Sequence, residues 1–254
     1  MTKTSRYAEI ADVLAEEIAD RPLGARISSE HEIAARFGVS RAAARAALQE
    51  LEGRLMVRRV RGAGTFVNRP IDYVLSQRKD PSLHKTVEEA GGTARTVVRE
   101  VRRVRLDERR AARLERPVGS EAHLLVRQSY INGLISGWSQ EHIPVDLLPE
   151  LDTAVHAVES LDSILRQMCR VTPVRAWCRV SYSLPGPEVA AGLEAERHRP
   201  VWLVESLSQD ADSALSVMCS DTWIRPDSTR IIVELDGTWN QRTEGERRAR
   251  HADS

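Results

Sequence analysis

The chain has 254 residues, more than one typical domain of about 100–150 residues and enough for two. Its 41% hydrophobic and 29% charged content is that of a water-soluble globular protein, and no apolar run approaches the ~18 residues a membrane helix needs. Lys plus Arg and Asp plus Glu both number 37, so net charge does not announce a polyanionic partner and only the local distribution of charge can do so.

The opening run, MTKTSRYAEIADVLAEE, turns amphipathic at once and lacks the apolar core of a signal peptide, so a cytoplasmic protein is expected. Tyr7, Ile10, Leu14 and Ile18 recur at helical spacing, and Pro22 and Gly24 end that helix. Ser28-Ser29-Glu30-His31-Glu32 supplies a cap and early acids for a short second helix with Ile33, Ala34 and Phe37 on its buried face. Gly38 stops it, and Ser40 caps a third helix from Arg41 to about Leu51 whose Ala44, Ala47, Leu48 and Leu51 face inward. VRRVRGAGTFV then reads as strand, glycine turn and strand.

Three helices with a tight turn before the third, followed by a hairpin, make a winged helix-turn-helix. Arg41 and Arg45 stand one turn apart on the third helix, placed to fork onto guanine or clamp phosphate in a major groove about 12 Å wide. In the hairpin, Gly62 and Gly64 permit close backbone approach, while Arg58, Arg59 and Arg61 bring positive charge toward phosphate or the minor groove. An exposed arginine pair on a helix is usually a solvated face, and it is the wing in register behind it that turns the reading to DNA.

Residues about 6 to 67, ISSEHEIAARFGVSRAAARAALQELEGRLMVRRVRGAGTFV at their heart, resemble the DNA-binding domain of the GntR family of bacterial transcription regulators. The resemblance implies DNA contacts at Ser29, Glu30, His31, Ser40, Arg41, Arg45, Gly62, Gly64 and Thr65, with Arg61 added for its charge in the wing. Three positions depart from the family pattern: Ser28 replaces a proline, His31 an arginine and Leu55 a helix-ending glycine.

Residues 69–81, with two prolines and no clean period, read as a linker between a DNA-binding domain at 1–68 and a second domain at 82–238. SLHKTVEEAGG reads as a short helix, TVVREVRRVRL as a strand and DERRAARLERPVGSE as a helix and turn; the interleaved valines and acids of this arginine-rich stretch argue against a second nucleic-acid site. LLVRQSYI and SQEHIP flank an Asn132-Gly133 turn signal inside a loop expected to exceed two residues. Leu161 to Cys169 is helical by pattern. Val174 to Leu184 alternates as a strand, with Arg175, Trp177 and Arg179 on one face and Ala176, Cys178 and Val180 on the other. A helix from Pro187, a strand at VWLVESLS and another near IIVEL complete the domain, and residues 239–254 are too polar to bury and are expected to be disordered. Intermixed helices and antiparallel turns give an α+β fold. Cys169, Cys178 and Cys219, odd in number and without C-x-x-C spacing, read as reduced thiols, with no metal site and no cofactor implied.

In the same order, SLHKTVEEAGG, LLVRQSYINGLISGWSQEHIPVDLLPEL and VTPVRAWCRVSYS resemble the UTRA effector domain of the HutC branch, whose fold is similar to chorismate lyase. That resemblance implies an effector cleft containing His84, Arg127, Glu141, Trp177 or Arg179, and Trp223; in the alternative, Arg127 and Glu141 simply pair across adjacent strands and the tryptophans are core. With Ser129 and Ile131 near Arg127 and an apolar Val217, an amino-sugar phosphate is not favoured. The expectation is a ligand-responsive transcriptional regulator, a repressor binding a palindromic double-stranded operator as a homodimer and released by a small-molecule effector, with no membrane partner. Its rivals are a constitutive DNA-binding dimer with no effector and an enzyme of the lyase-like fold; no nucleophile-base motif or metal-ligand pattern supports the enzyme.

Overall fold

The computed structural model describes residues 6–60, 62–76, 82–158 and 160–234. The N-terminal part holds α1 (Arg6–Ile18), α2 (Glu30–Phe37) and α3 (Arg41–Gly53), followed by the antiparallel hairpin β1 (Val57–Val60) and β2 (Gly64–Val67). Ile10, Leu14 and Ile18 of α1 meet Ile33 of α2, Leu48 and Leu51 of α3 and Val57 and Val67 of the hairpin in one buried cluster. The alanines of α3 contribute in two ways: Ala44 and Ala47 are fully buried, so α1 packs close, while the opposite face carries little bulk.

The second part is built on a six-stranded antiparallel sheet in the order β4 (Ala94–Arg105), β5 (Glu121–Ile131), β6 (Leu134–Pro144), β9 (Ser216–Ile224), β8 (Val201–Asp210), β7 (Pro173–Ser183). One face is covered by α5 (Glu108–Leu114) and α8 (Pro187–Gly192), through Leu114 against Leu207 and Cys219 and through Val189 against Trp138. The other face is covered in two patches. At one end lie α6 (Leu151–Ala157) and α7 (Leu161–Met168), packed on Leu125, Ile143 and Val217. At the other lie β3 (Ile71–Leu75) and β10 (Thr229–Val233), paired with each other in parallel and packed on Val204 and Ile224. α4 (Leu83–Glu89), capped by Ser82, borders the gap between the patches.

Four expectations are corrected. Residues 69–81 are not wholly a linker: Ile71–Leu75 is a strand whose Ile71, Val74 and Leu75 are buried, and its partner β10 lies more than 150 residues away, beyond the reach of any local pattern. The loop at Asn132-Gly133 is two residues long, because Ile131 pairs with Leu134; both turn residues have positive φ (49° and 77°), the geometry that matches strand twist. The second strand runs from Leu134 to Pro144, longer than SQEHIP, because it passes through Ser136 and Gly137, which interrupt the apolar pattern. Strand β9, at the heart of the sheet, and helix α6 had no expected counterpart. Finally, the alternation of β7 breaks at a bulge between Arg175 and Trp177, so Arg175 shares a face with Cys178 rather than with Trp177 and Arg179. The tail at 239–254 lies outside the described residues.

Candidate functional site

Two surfaces concentrate the sequence-predicted residues. The first is the exposed side of α2, α3 and the wing. Ser29 caps α2 in a reciprocal box: its hydroxyl accepts from the Glu32 amide at 3.3 Å, and the Glu32 carboxylate accepts from the Ser29 amide at 2.7 Å. Gly38, at φ 60°, ends α2 in the left-handed conformation, and Ser40 caps α3 by accepting from the Ala43 amide at 3.2 Å. These caps set the angle at which α3 projects.

On that surface Glu30 acts as a shared anchor. Its carboxylate accepts from Arg45 Nε at 3.1 and 3.2 Å and from Arg59 Nη2 at 2.6 Å, tying recognition helix to wing. The Arg45 hydrogen bond, with the charges of Arg45 and Arg59, holds the Glu30 carboxyl below its usual range despite some burial. Arg45 keeps 59% of its side chain exposed, so it is held in place and still reachable. Arg41 Nη2 lies 3.4 Å from His31 Nδ1, where the arginine of the family pattern would have set two cations against each other. Gly62 and Gly64 have φ of 76° and 123°, and a Cβ on Gly64 would stand 3.0 Å from Arg26 Nε. Thr65 is buried, with its carbonyl accepting from the Ile27 amide at 2.9 Å. Arg61 lies outside the described residues.

Arg58 does not join this surface. It is buried where the two parts of the chain meet, donating to the carbonyl of Ile135 and standing 3.8 Å from Asp227. Burial, aided by nearby Arg225, pushes its guanidinium down to about 10. Asn68 closes the same boundary with one side-chain amide that donates to Leu55 O at 2.9 Å and to Asp227 O at 2.6 Å. Asp227 is itself clamped by Arg225 at 2.6 and 2.9 Å.

The second surface is the gap between the two patches that cover the sheet. A cavity of about 100 Å³ opens there, and a neighbouring one of about 60 Å³ continues it toward α4 and α7. Arg127 and Glu141 line the first, and His84 with Arg127 the second, so three of the predicted effector residues come together. Arg127 and Glu141 also pair, Nη2 to Oε1 at 2.6 Å and Nε to Oε2 at 3.3 Å. The rest of the predicted set is on the opposite face. Trp177 packs with Leu207 and Leu114 under the Arg113 guanidinium, Arg179 lies 3.6 Å from Glu205, and Trp223 packs in the Trp138 cluster. The period-two pattern explains it: residues paired across the sheet share a face, and Arg179–Glu205–Asp221 lies one residue out of phase with Cys178–Ser206–Ser220–Glu141.

What sequence reasoning missed is the rest of the cleft floor. Ser139, Ser206, Ser208, Ser220 and Thr222 face the cavity from β6, β8 and β9, and Arg175 and Tyr73 enter from β7 and β3. The available signal was hydroxyl residues at alternate positions, Ser206 and Ser208 in one strand, Ser220 and Thr222 in another.

With the winged domain and the cleft in place, comparison with known proteins gives a consistent result. Residues 6–67 match the bacterial regulatory proteins of the gntR family, and residues 89–230, more than half of the chain, match the UTRA domain. The chain therefore belongs to the GntR-family transcriptional regulators that carry a UTRA effector-binding domain. It is a regulator of the helix-turn-helix type and not an enzyme. The HTH-type transcriptional regulator GgaR of Escherichia coli K12 is 26% identical over 209 residues, 82% of each protein. Among solved structures, PhnF from Mycobacterium smegmatis superposes with a TM-score of 0.64 at 24% identity, over 90% of this chain and all of that one. YydK from Bacillus subtilis superposes with a TM-score of 0.53 at 17% identity, over 92% of this chain and all of that one. At these identities the solved structures speak for the fold alone.

Proposed function

We propose that the protein is a cytoplasmic, dimeric repressor that binds a palindromic operator and is released when a small molecule occupies the cleft on the sheet. The DNA contacts are assigned to Ser29, Glu30, His31, Ser40, Arg41, Arg45, Arg61, Gly62, Gly64 and Thr65, and the effector contacts to His84, Arg127 and Glu141. A dimer follows from recognition economy: one α3 reads a few base pairs, and two half-sites about 34–36 Å apart supply the rest.

The observation that carries the release mechanism is that cleft wall and domain boundary are built from the same two short segments. Ser136 and Gly137 line the cavity, and the neighbouring Ile135 carbonyl accepts from Arg58 of the wing. Thr229 lines the cavity, and Asp227, two residues earlier, faces Arg58 and accepts from Asn68. The Arg225 amide, which donates to Ser136 O at 2.9 Å, ties one segment to the other. A ligand that favours a different placement of either segment changes the free energy of wing docking and so shifts the population of operator-competent dimers.

The test is fluorescence anisotropy on the DNA upstream of the protein's own gene, at two salt concentrations, with and without a metabolite library. Tight, salt-sensitive binding released by one compound, with release weakened in Arg58→Met, is the expected result. Operator binding that no compound alters overturns effector release and leaves a constitutive DNA-binding dimer.

A further inference from the structure

On the surface assigned to DNA, one contact fixes a protonation state. Nη2 of Arg41, the first residue of α3, lies 3.4 Å from Nδ1 of His31 in α2. A guanidinium is always charged and has only donors, so this hydrogen bond requires the lone pair of Nδ1. His31 is therefore the neutral imidazole, with its proton on Nε2. Arg45 and Arg59 are held by the Glu30 carboxylate, whereas among the described residues no carboxylate pairs with Arg41, and His31 is the side chain that orients it. Both His31 and Arg41 are exposed, which leaves the Nε2 proton and the rest of the guanidinium fork open to a groove.

The charged groups around this pair keep their charge where histidine changes its own. On α2, Glu30 accepts from Arg45 and Arg59, and Glu32 accepts from the Ser29 amide and hydroxyl. These contacts hold both carboxyls below their usual range, so they stay ionised in mild acid. Arg41 and Arg45 of α3, Arg59 of the wing and Arg26 of the segment before α2 remain cations throughout. His31 is the one histidine in residues 1–68. Its protonation fills the Nδ1 lone pair, which removes the acceptor and sets an imidazolium against the guanidinium. Arg41 then loses its orienting contact, and the surface gains one positive charge per subunit.

We propose that neutral His31 is a positioning residue for Arg41, and that its protonation exchanges sequence discrimination for general affinity to DNA. The two consequences act on different parts of binding. A guanidinium reads a base edge through a fixed fork, so loss of orientation weakens binding to the operator alone, whereas an added cation strengthens binding to any duplex. An arginine at position 31 would carry the charge at every pH and offer Arg41 no acceptor at any; a histidine ties both properties to pH. The inference rests on the reading of α2 and α3 as the surface that contacts DNA and adds the residue that sets how sharply that surface discriminates.

The test uses the full-length protein. A duplex selected by the wild type from a random-sequence pool at about pH 8, where histidine is neutral, is compared with a scrambled duplex of the same composition. Fluorescence anisotropy gives both dissociation constants from about pH 8 down to about pH 5.5 at fixed ionic strength, for wild type, His31→Gln and His31→Arg. In the wild type, the preference for the selected duplex is expected to fall about tenfold or more across that range, while the scrambled duplex binds more tightly and with a steeper salt dependence at the acid end. His31→Gln, whose amide oxygen accepts from Arg41 without titrating, is expected to keep the preference within about twofold. His31→Arg is expected to be level as well and to bind the scrambled duplex as the acidified wild type does. A wild-type preference independent of pH, or a His31→Gln variant that loses it in parallel, overturns the proposal and leaves the DNA surface standing. A preference that rises on acidification overturns it too, because the imidazolium itself would then be reading the operator. A pool that yields no enriched sequence overturns the DNA-contact reading and this inference with it.

Discussion

The Arg127–Glu141 pair offers a measurement of how the cleft is held open. Nη2 and Oε1 are 2.6 Å apart, and the side chains are 16% and 4% exposed. At an effective dielectric of about 20 the Coulomb attraction at that distance is roughly 6 kcal/mol, and the desolvation of two ions offsets most of it. Replacing both partners with uncharged residues of similar shape should therefore change stability little, by about 1 kcal/mol. Removing one should be expensive, because the other is left buried: about 3 kcal/mol for Arg127→Met, which strands the more buried Glu141, and about 2 kcal/mol for Glu141→Gln. The expected interaction energy of the cycle is then about 4 kcal/mol. All five tryptophans, at positions 138, 177, 202, 223 and 239, lie outside the winged domain, so tryptophan fluorescence in a urea titration follows the effector domain alone. On heating, the Arg127→Met variant should melt roughly 6–12 °C below the wild type. Single-variant effects that simply add, with an interaction below about 1 kcal/mol, would refute the picture of a desolvated pair and make it a solvated surface contact.

Other consequences are equally direct. Arg45→Ala should weaken operator binding by about 1–3 kcal/mol; loss of preference at one base pair identifies base readout, whereas uniform weakening with a shallower salt dependence identifies a phosphate contact. Leu55 occupies the position of the family's helix-ending glycine and retains its left-handed backbone at φ 58°. Leu55→Gly relieves about 1–2 kcal/mol of steric cost and adds about 0.4–1 kcal/mol of unfolded-state entropy, so a net gain of about 0.5–1 kcal/mol is expected in a circular-dichroism melt of the winged domain, and a net loss would refute the strain. Burial pushes the His142 imidazole down to about 4. The unfolded chain then takes up a proton at higher pH than the folded one, so stability is full above about pH 6.5 and roughly 3 kcal/mol of it is lost by pH 4; His142→Leu should flatten urea midpoints across that window. Gly192→Ala drives a methyl carbon into the Trp138 ring and should cost about 2–3 kcal/mol in the tryptophan-monitored unfolding.

The DNA-binding half was legible in the one-dimensional sequence because its determinants are local. The Ser29 and Ser40 caps, the Gly38 stop, the helical spacing of Ile33, Leu48 and Leu51 and the glycine turn of the wing all act within one or two turns of chain. Each was written in residues whose preferences differ by enough to be read singly. The effector half was less legible where its strands are lined with hydroxyls. In β9 the cleft-facing Ser220 and Thr222 and the α5-facing Asp221 leave no apolar alternation, because here the buried face is polar by purpose.

Sequence alone therefore determined the class of protein and the helix-turn-helix with its wing, consequences of local preference and motif order, whereas His84, Arg127 and Glu141 follow only from the resemblance to the UTRA domain. Only the tertiary structure decided which side of the sheet Arg175, Trp177, Arg179 and Trp223 occupy, that β3 pairs with β10, and that Arg58 leaves the DNA surface to dock on Ile135. The reason is physical: a single bulge reverses which face a side chain takes, and a parallel pairing or an interdomain contact depends on residues far away in the chain, about which the neighbouring sequence carries no information.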